Sequence, residues 1–131
     1  MIGLDTNVLV RYLAQDDPAQ ARRATEIIEG RLTDQKPGFV SVVATAETVW
    51  VLDRAYGPSD EEIVAAIQRM LQIDVLVVEN EQEVFAAMTA LEEGLGSFAD
   101  ALIGALGAKA ECSATLTFDR KALRLPHFEL A

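Results

Sequence analysis

The chain has 131 residues, half of them hydrophobic, which predicts one domain with a well-filled core. Its net charge of −10 at pH 7 argues against a nucleic-acid binder, because such proteins usually carry a basic face. A membrane span, a signal peptide and a zinc site of the usual kind are not expected, and the single cysteine indicates the cytoplasm.

Short apolar stretches alternate with amphipathic ones along the whole chain. Pro18 suits the first turn of a helix and Gly30 its end, and Ser59 with Glu62 has the spacing of a capping box. In chain order the pattern predicts a strand over 2–5, helices over 6–13 and 18–29, a strand over 39–41, helices over 42–55 and from 59 to about 71, a strand over 75–78, helices over 80–93 and 98–111, and strands over 114–118 and 128–130.

This alternation is typical of βαβ units. It predicts an α/β protein with a mostly parallel sheet that is covered by helices on both faces. In such sheets, ligands bind beyond the carboxyl ends of the strands, so the functional residues are expected there.

Four acidic residues lie either directly after a predicted strand or within a predicted helix. Asp5 follows the first strand, and Asp119 follows the strand over 114–118. Asp100 lies in the first turn of the helix over 98–111, and Glu47 lies in the helix after the second strand. These four carboxylates are the candidate site.

Three of the four acids have an ordinary structural alternative. Asp5 and Asp119 could each cap the short helix that follows, a contact worth about 1 kcal/mol. Asp100 comes three residues after Ser97, which is the spacing of a capping box.

Glu47 is harder to explain as a structural residue. At helical spacing its neighbours include Val43, Trp50 and Val51, so its carboxylate is expected to be at least partly buried and Trp50 to lie in the core, with a dimer surface as the alternative. A buried charge costs several kcal/mol unless it is paired or bound to a metal. Arg54 is the possible partner.

Two glycines, Gly104 and Gly107, lie on the same face of the predicted helix over 98–111 as Asp100. Each costs about 1 kcal/mol relative to alanine in a helix interior. A smooth strip of this kind predicts a close approach of the helix to the sheet.

Taken together, four carboxylates at the carboxyl edge of one sheet would repel one another unless cations intervene. Ligand sets made only of oxygen suit Mg²⁺ or Mn²⁺, which keep several waters. Such ions activate water and stabilise charge on a phosphoryl group, which indicates phosphodiester hydrolysis. A bound cation also allows an acidic site to hold a phosphate.

In order and spacing, four segments resemble the PIN domain family, and within it the small VapC-type toxin ribonucleases of toxin–antitoxin pairs. The segments are Leu4-Asp5-Thr6-Asn7-Val8-Leu9, Ala44-Thr45-Ala46-Glu47-Thr48-Val49, Phe98-Ala99-Asp100-Ala101-Leu102-Ile103-Gly104 and Thr117-Phe118-Asp119-Arg120. The resemblance covers nearly the whole chain. It implies a single PIN domain over residues 1–131, a three-layer α/β/α sandwich with a central sheet of four to five strands.

The resemblance also implies a Mg²⁺- or Mn²⁺-dependent endoribonuclease. Asp5 and Asp100 would be the main metal ligands, with Asp119 completing the site directly or through water. Glu47 would hold a metal-bound water or accept a proton. The supporting residues would be Thr6, Asn7 and Thr117.

The partners implied by the resemblance are an RNA substrate, a small antitoxin whose tail enters the acidic site, and a second copy in a homodimer. One position departs from the family pattern. Many relatives have a further acid three residues before the third one, where this chain has Ser97. One tightly bound ion is therefore more plausible than two.

Basic residues near these segments have two interpretations. Arg120, Lys121 and Arg124 directly follow Asp119 and either hold RNA phosphates or form a solvated turn. Arg11 either contacts RNA or pairs with an acid.

Three other functions are weighed against the toxin. A phosphatase of the haloacid dehalogenase type needs a second aspartate two residues after the first, where this chain has Asn7. A non-catalytic PIN-like binding module is expected to lack one of the acids. A housekeeping RNA-processing nuclease is the runner-up, and the absence of extra RNA-binding segments favours the toxin.

Overall fold

The computed structural model describes residues 1–131 and confirms an α/β fold with six α-helices and parallel strands. The chain divides into two compact units, Met1–Asn80 and Glu81–Ala131. No helix has the length and apolar character needed to cross a membrane.

The first unit contains three strands and four helices. In chain order they are β1 (Ile2–Gly3), α1 (Thr6–Ala14), α2 (Pro18–Glu26) with a π-helical continuation (Ile27–Arg31), β2 (Gly38–Val40), α3 (Val42–Tyr56), α4 (Asp60–Leu71) and β3 (Leu76–Val78).

The sheet of the first unit has the order β1-β2-β3, and both strand pairs are parallel. Gly38 begins the central strand, opposite Ile2 on one side and Leu76 on the other. A Cβ atom at Gly38 would lie 2.8 Å from Leu32 Cδ1 and 2.9 Å from Leu76 Cδ2, so any larger residue here would displace these leucine side chains. Because all three strands run in one direction, their carboxyl ends share one edge of the sheet.

That edge is where α1 and α3 begin. Asp5 is the N-cap of α1, and Ser41 is the N-cap of α3, where its Oγ accepts the N–H of Ala44 at 3.1 Å. Glu79, which follows β3, adds a second contact by accepting the N–H of Val42 at 2.9 Å. A carboxylate at this position also complements the positive end of the helix dipole.

Two predicted helix boundaries illustrate how well local signals work. The capping box at α4 is confirmed, since Ser59 accepts the N–H of Glu62 and the Glu62 carboxylate accepts the N–H of Ser59. The predicted end of α2 at Gly30 is wrong. The chain continues through a π-helical turn to Arg31, so Gly30 lies inside the helical segment.

The second unit contains α5 (Glu81–Glu92), α6 (Phe98–Lys109), β4 (Thr115–Thr117), a 3₁₀ turn (Arg120–Arg124) and β5 (Phe128–Leu130). β4 and β5 pair in parallel, with Thr115 opposite Phe128. A Cβ atom at Gly104 would lie 2.5 Å from Phe128 Cε2, and one at Gly107 would lie 3.0 Å from Thr115 Oγ1. The predicted close approach of this helix to the strands is therefore confirmed.

Candidate functional site

One cleft in the first unit brings together two of the four predicted acids. Asp5 comes from the junction of β1 and α1, and Glu47 comes from the second turn of α3. The cleft has a volume of about 470 Å³. It is also lined by Thr6, Asn7, Val10, Arg11, Val51, Ala55 and Tyr56.

Thr6 connects the two carboxylates. Its backbone N–H donates to Asp5 Oδ1 at 2.7 Å, and its hydroxyl donates to Glu47 Oε1 in a short hydrogen bond. Thr6 is buried, whereas Asp5 and Glu47 are both exposed to solvent. One buried residue therefore holds two exposed carboxylates at one end of the cleft, Asp5 through its backbone N–H and Glu47 through its hydroxyl.

The capping role of Asp5 does not compete with a ligand role. Its contact with the N–H of Thr6 uses Oδ1 alone, so Oδ2 remains available. Glu47 likewise accepts from Thr6 through Oε1 only. Asn7 lies in the first turn of α1, is exposed and lines the same cleft.

The predicted burial of Glu47 and Trp50 is wrong. Glu47 is exposed, and Trp50 is 59% exposed. Arg54, the alternative partner of Glu47, instead places its guanidinium over the Trp50 ring, 4.8 Å from the centroid. The reason is that α3 carries apolar residues on every side, and the face that is buried is the one formed by Ala44, Thr45, Thr48, Val49 and Leu52.

The other end of the cleft is a network around Arg11. Arg11 Nε donates to Gln20 Oε1 at 2.6 Å, and its Nη1 donates to Asp16 Oδ1 at 3.2 Å. The Tyr56 hydroxyl donates to Asp16 Oδ2 in a short hydrogen bond. That hydrogen bond, with a smaller effect of Arg11, lowers the pKa of the Asp16 carboxyl, and it raises the pKa of the Tyr56 hydroxyl.

Asp100 lies in the first turn of α6 in the second unit and is half-buried. Ser97 caps this helix, accepting the N–H of Asp100 at 3.1 Å. The reciprocal contact of a capping box is not formed, and the Asp100 carboxylate has no hydrogen bond or ion pair in the structure. The capping alternative therefore explains Ser97 and leaves the Asp100 side chain unexplained.

Asp119 follows β4 and begins the 3₁₀ turn. Its N–H donates to Thr117 Oγ1 at 3.0 Å, and its Oδ1 accepts the N–H of Lys121 at 2.9 Å. Thr117 thus orients the residue after the strand, and the cap uses one carboxylate oxygen. Arg120, Lys121 and Arg124 are exposed on the turn that Asp119 caps.

The donor atoms suit a hard divalent cation. The four acids offer only oxygen, and at least one carboxylate oxygen of each makes no hydrogen bond to the protein. Neither unit by itself holds three or more His, Cys, Asp or Glu side chains grouped so that they could bind a metal ion.

Sequence reasoning named Arg11, which pairs with an acid as one of its two interpretations expected, but it missed the other residues at this end of the cleft. Val51 and Ala55 lie four and eight residues after Glu47, so their shared helix face was readable from the sequence. The contact of Tyr56 with Asp16 joins positions 40 residues apart, and no local pattern predicts it.

Comparison with known families finds one match, to the PIN domain, and it covers residues 2–127. A comparison with curated proteins finds no match.

The separate roles of Ser97 and Asp100 predict effects of different size on stability. Ser97→Ala removes the cap of α6 and is expected to lower the free energy of unfolding by about 1 kcal/mol. Asp100→Asn removes no contact and should change it by less than about 0.5 kcal/mol. Urea denaturation of both variants without added metal measures the free energy of unfolding. A large loss of this free energy in Asp100→Asn would show that the Asp100 carboxylate has a structural role.

The Tyr56–Asp16 contact predicts a pH-dependent stability difference between the wild type and Tyr56→Phe. Because the pKa of Asp16 is lowered in the folded state, its ionised carboxyl stabilises the fold at pH values above about 4, the ordinary pKa of aspartate. This contribution is lost as the pH falls through the pKa that Asp16 has in the folded state. Because the pKa of Tyr56 is raised in the folded state, its protonated hydroxyl stabilises the fold at pH values below about 10, the ordinary pKa of tyrosine. This contribution is lost as the pH rises through the pKa that Tyr56 has in the folded state.

The difference should therefore be largest between about pH 4 and 10 and shrink on both sides. Thermal unfolding over this range measures it, with Asp16→Asn as the variant that lacks the acid-side change. A difference that does not vary with pH would contradict the contact.

Proposed function

The chain belongs to the PIN domain family, a superfamily of nucleases, and we propose that it is a Mg²⁺- or Mn²⁺-dependent endoribonuclease that acts as the toxin of a toxin–antitoxin pair. The observation that carries this proposal is the pairing of Asp5 and Glu47 through Thr6 in one open cleft. Because the family match spans both compact units, we also propose that residues 1–131 form a single PIN domain.

In this proposal the four acids have different roles. Asp5 and Asp100 are metal ligands, and Asp119 completes the set directly or through water. The bound ion supplies Lewis acidity and lowers the pKa of a water molecule. Glu47, Thr6 and Thr117 would orient the water molecule and the ligands of the ion.

Glu47 is proposed to accept the proton of the attacking water. The hydroxyl of Thr6 leaves Oε2 of Glu47 free while fixing the carboxylate through Oε1. Thr6 also fixes Asp5, so one buried residue sets the distance between a ligand and a proton acceptor. Thr117 plays a comparable part for Asp119, whose N–H donates to the Thr117 hydroxyl.

The substrate is proposed to be RNA. Arg120, Lys121 and Arg124 provide exposed positive charge next to Asp119, where they can contact phosphates on either side of the cleaved bond. The turn thus places positive charge locally on a chain whose net charge is −10. The cytoplasm, with its reduced cysteines and abundant RNA, is the proposed site of action.

The toxin assignment extends the resemblance of the four acidic segments to VapC-type toxins. It adds two partners, a small antitoxin that covers the acidic cleft and a second copy in a homodimer. Growth arrest on expression in a bacterial host, relieved by Asp5→Asn, would distinguish the toxin from an RNA-processing nuclease or a binding module.

Cleavage assays on structured RNAs test the proposed chemistry. The antitoxin-free protein should cleave with Mg²⁺ or Mn²⁺ and should stop in chelator. Asp5→Asn should lower the rate by about 100-fold or more, because it removes a proposed ligand.

Asp53→Asn is the matched control. Asp53 is an exposed residue of α3 outside the cleft, so the same change in charge should leave cleavage unaltered. Cleavage that persists in chelator, or that survives Asp5→Asn, would contradict the proposal.

A further inference from the structure

The cleft that contains Asp5 and Glu47 extends well beyond these carboxylates. Arg11 lies six residues after Asp5, which is about 9 Å along the α1 axis. Between the two ends the walls are apolar, formed by Val10 of α1 with Val51 and Ala55 of α3. The volume of about 470 Å³ lies within the range of small-ligand sites.

The far end is held rigid before any ligand arrives. Gln20 and Asp16 hold two nitrogens of the Arg11 guanidinium, and Tyr56 holds the second oxygen of Asp16. Nη2 of Arg11 makes no hydrogen bond to the protein. Because these side chains are already ordered, a ligand that contacts them pays little conformational entropy.

The charge at the Arg11 end of the cleft favours a neutral ligand group over a phosphate. Arg11 and Asp16 form an ion pair, so together they carry no net charge. A second phosphate would have to compete with Asp16 for the guanidinium. A neutral group with a hydrogen-bond acceptor next to a donor, by contrast, can accept from Arg11 and donate to the Tyr56 hydroxyl oxygen at the same time.

The edge of a nucleobase has this combination of groups, and its faces are apolar. RNA-binding proteins read unpaired bases in this way, by contacts to the faces and hydrogen bonds to the edge. The cleft offers both kinds of contact, apolar walls from Val10, Val51 and Ala55 and polar groups from Arg11 and Tyr56.

We propose that the cleft between α1 and α3 is a subsite for one unpaired nucleobase of the RNA, next to the phosphate that is cleaved. Val10, Val51 and Ala55 contact the faces of the base, and Arg11 with Tyr56 contacts its edge. This inference rests on the proposed nuclease function, since Asp5 and Glu47 lie at one end of the same cleft. Arg11 is thereby a specificity-determining residue rather than a phosphate contact.

The test uses the four ribonucleosides, which are neutral and need no metal ion to approach the carboxylates. The ¹⁵N-labelled chain is titrated with each nucleoside in chelator, and NMR follows the Arg11 side-chain Nε–H and the amides of α1 and α3. At least one nucleoside should shift these signals and define a Kd. A set of titrations in which no nucleoside shifts them overturns the inference.

A cavity-filling variant tests the location. Ala55→Leu narrows the cleft at an exposed wall residue and is expected to weaken nucleoside binding by about 10-fold or more. Ala19→Leu makes the same change at an exposed helical position outside the cleft and should bind like the wild type. Equal binding by Ala55→Leu and the wild type overturns the inference.

A second variant tests the edge contact. Arg11→Lys keeps the charge and loses the planar fork, so the preference among the four nucleosides should diminish. An unchanged preference overturns the proposed role of Arg11. Because nucleoside binding and RNA cleavage are measured separately, a chain that binds nucleosides without cleaving RNA refutes the nuclease and not the subsite, and the reverse result refutes only the subsite.

Discussion

The hydrogen bond from Thr6 to Glu47 is the contact on which the arrangement of the cleft depends. It joins the end of the first strand to the second turn of α3, across 41 residues of sequence. The same residue fixes Asp5 through its backbone, and its burial keeps water from competing for the hydroxyl. The exposed carboxylates are therefore held by a residue that is itself largely buried.

The parallel sheet places this contact where chemistry can use it. Asp5 and Ser41 follow neighbouring strands and cap the helices that carry Thr6 and Glu47. Glu79, after the third strand, caps the same helix as Ser41, so three consecutive strand ends support the site. In the second unit, Thr117 Oγ1 accepts the backbone N–H of Asp119 just beyond the end of β4.

Local signals in the sequence predicted most of the helices and strands. Ser59 and Glu62 form the expected capping box, and Gly104 and Gly107 lie where a helix packs closely on strands. Features that depend on contacts between distant parts of the chain were not predicted. Apolar residues occur on every side of α3, so its periodicity does not show which face is buried. Glu47 lies on the exposed face. Tyr56 and Asp16 meet only through the tertiary fold.

The central proposal is that Asp5 and Asp100 are each ligands of a divalent metal ion. Titration with Mn²⁺, followed by electron paramagnetic resonance, tests it without requiring an RNA substrate. The account predicts that Asp5→Asn and Asp100→Asn each weaken Mn²⁺ binding by about 10-fold or more, while Asp53→Asn binds like the wild type. Wild-type affinity in Asp100→Asn would contradict it.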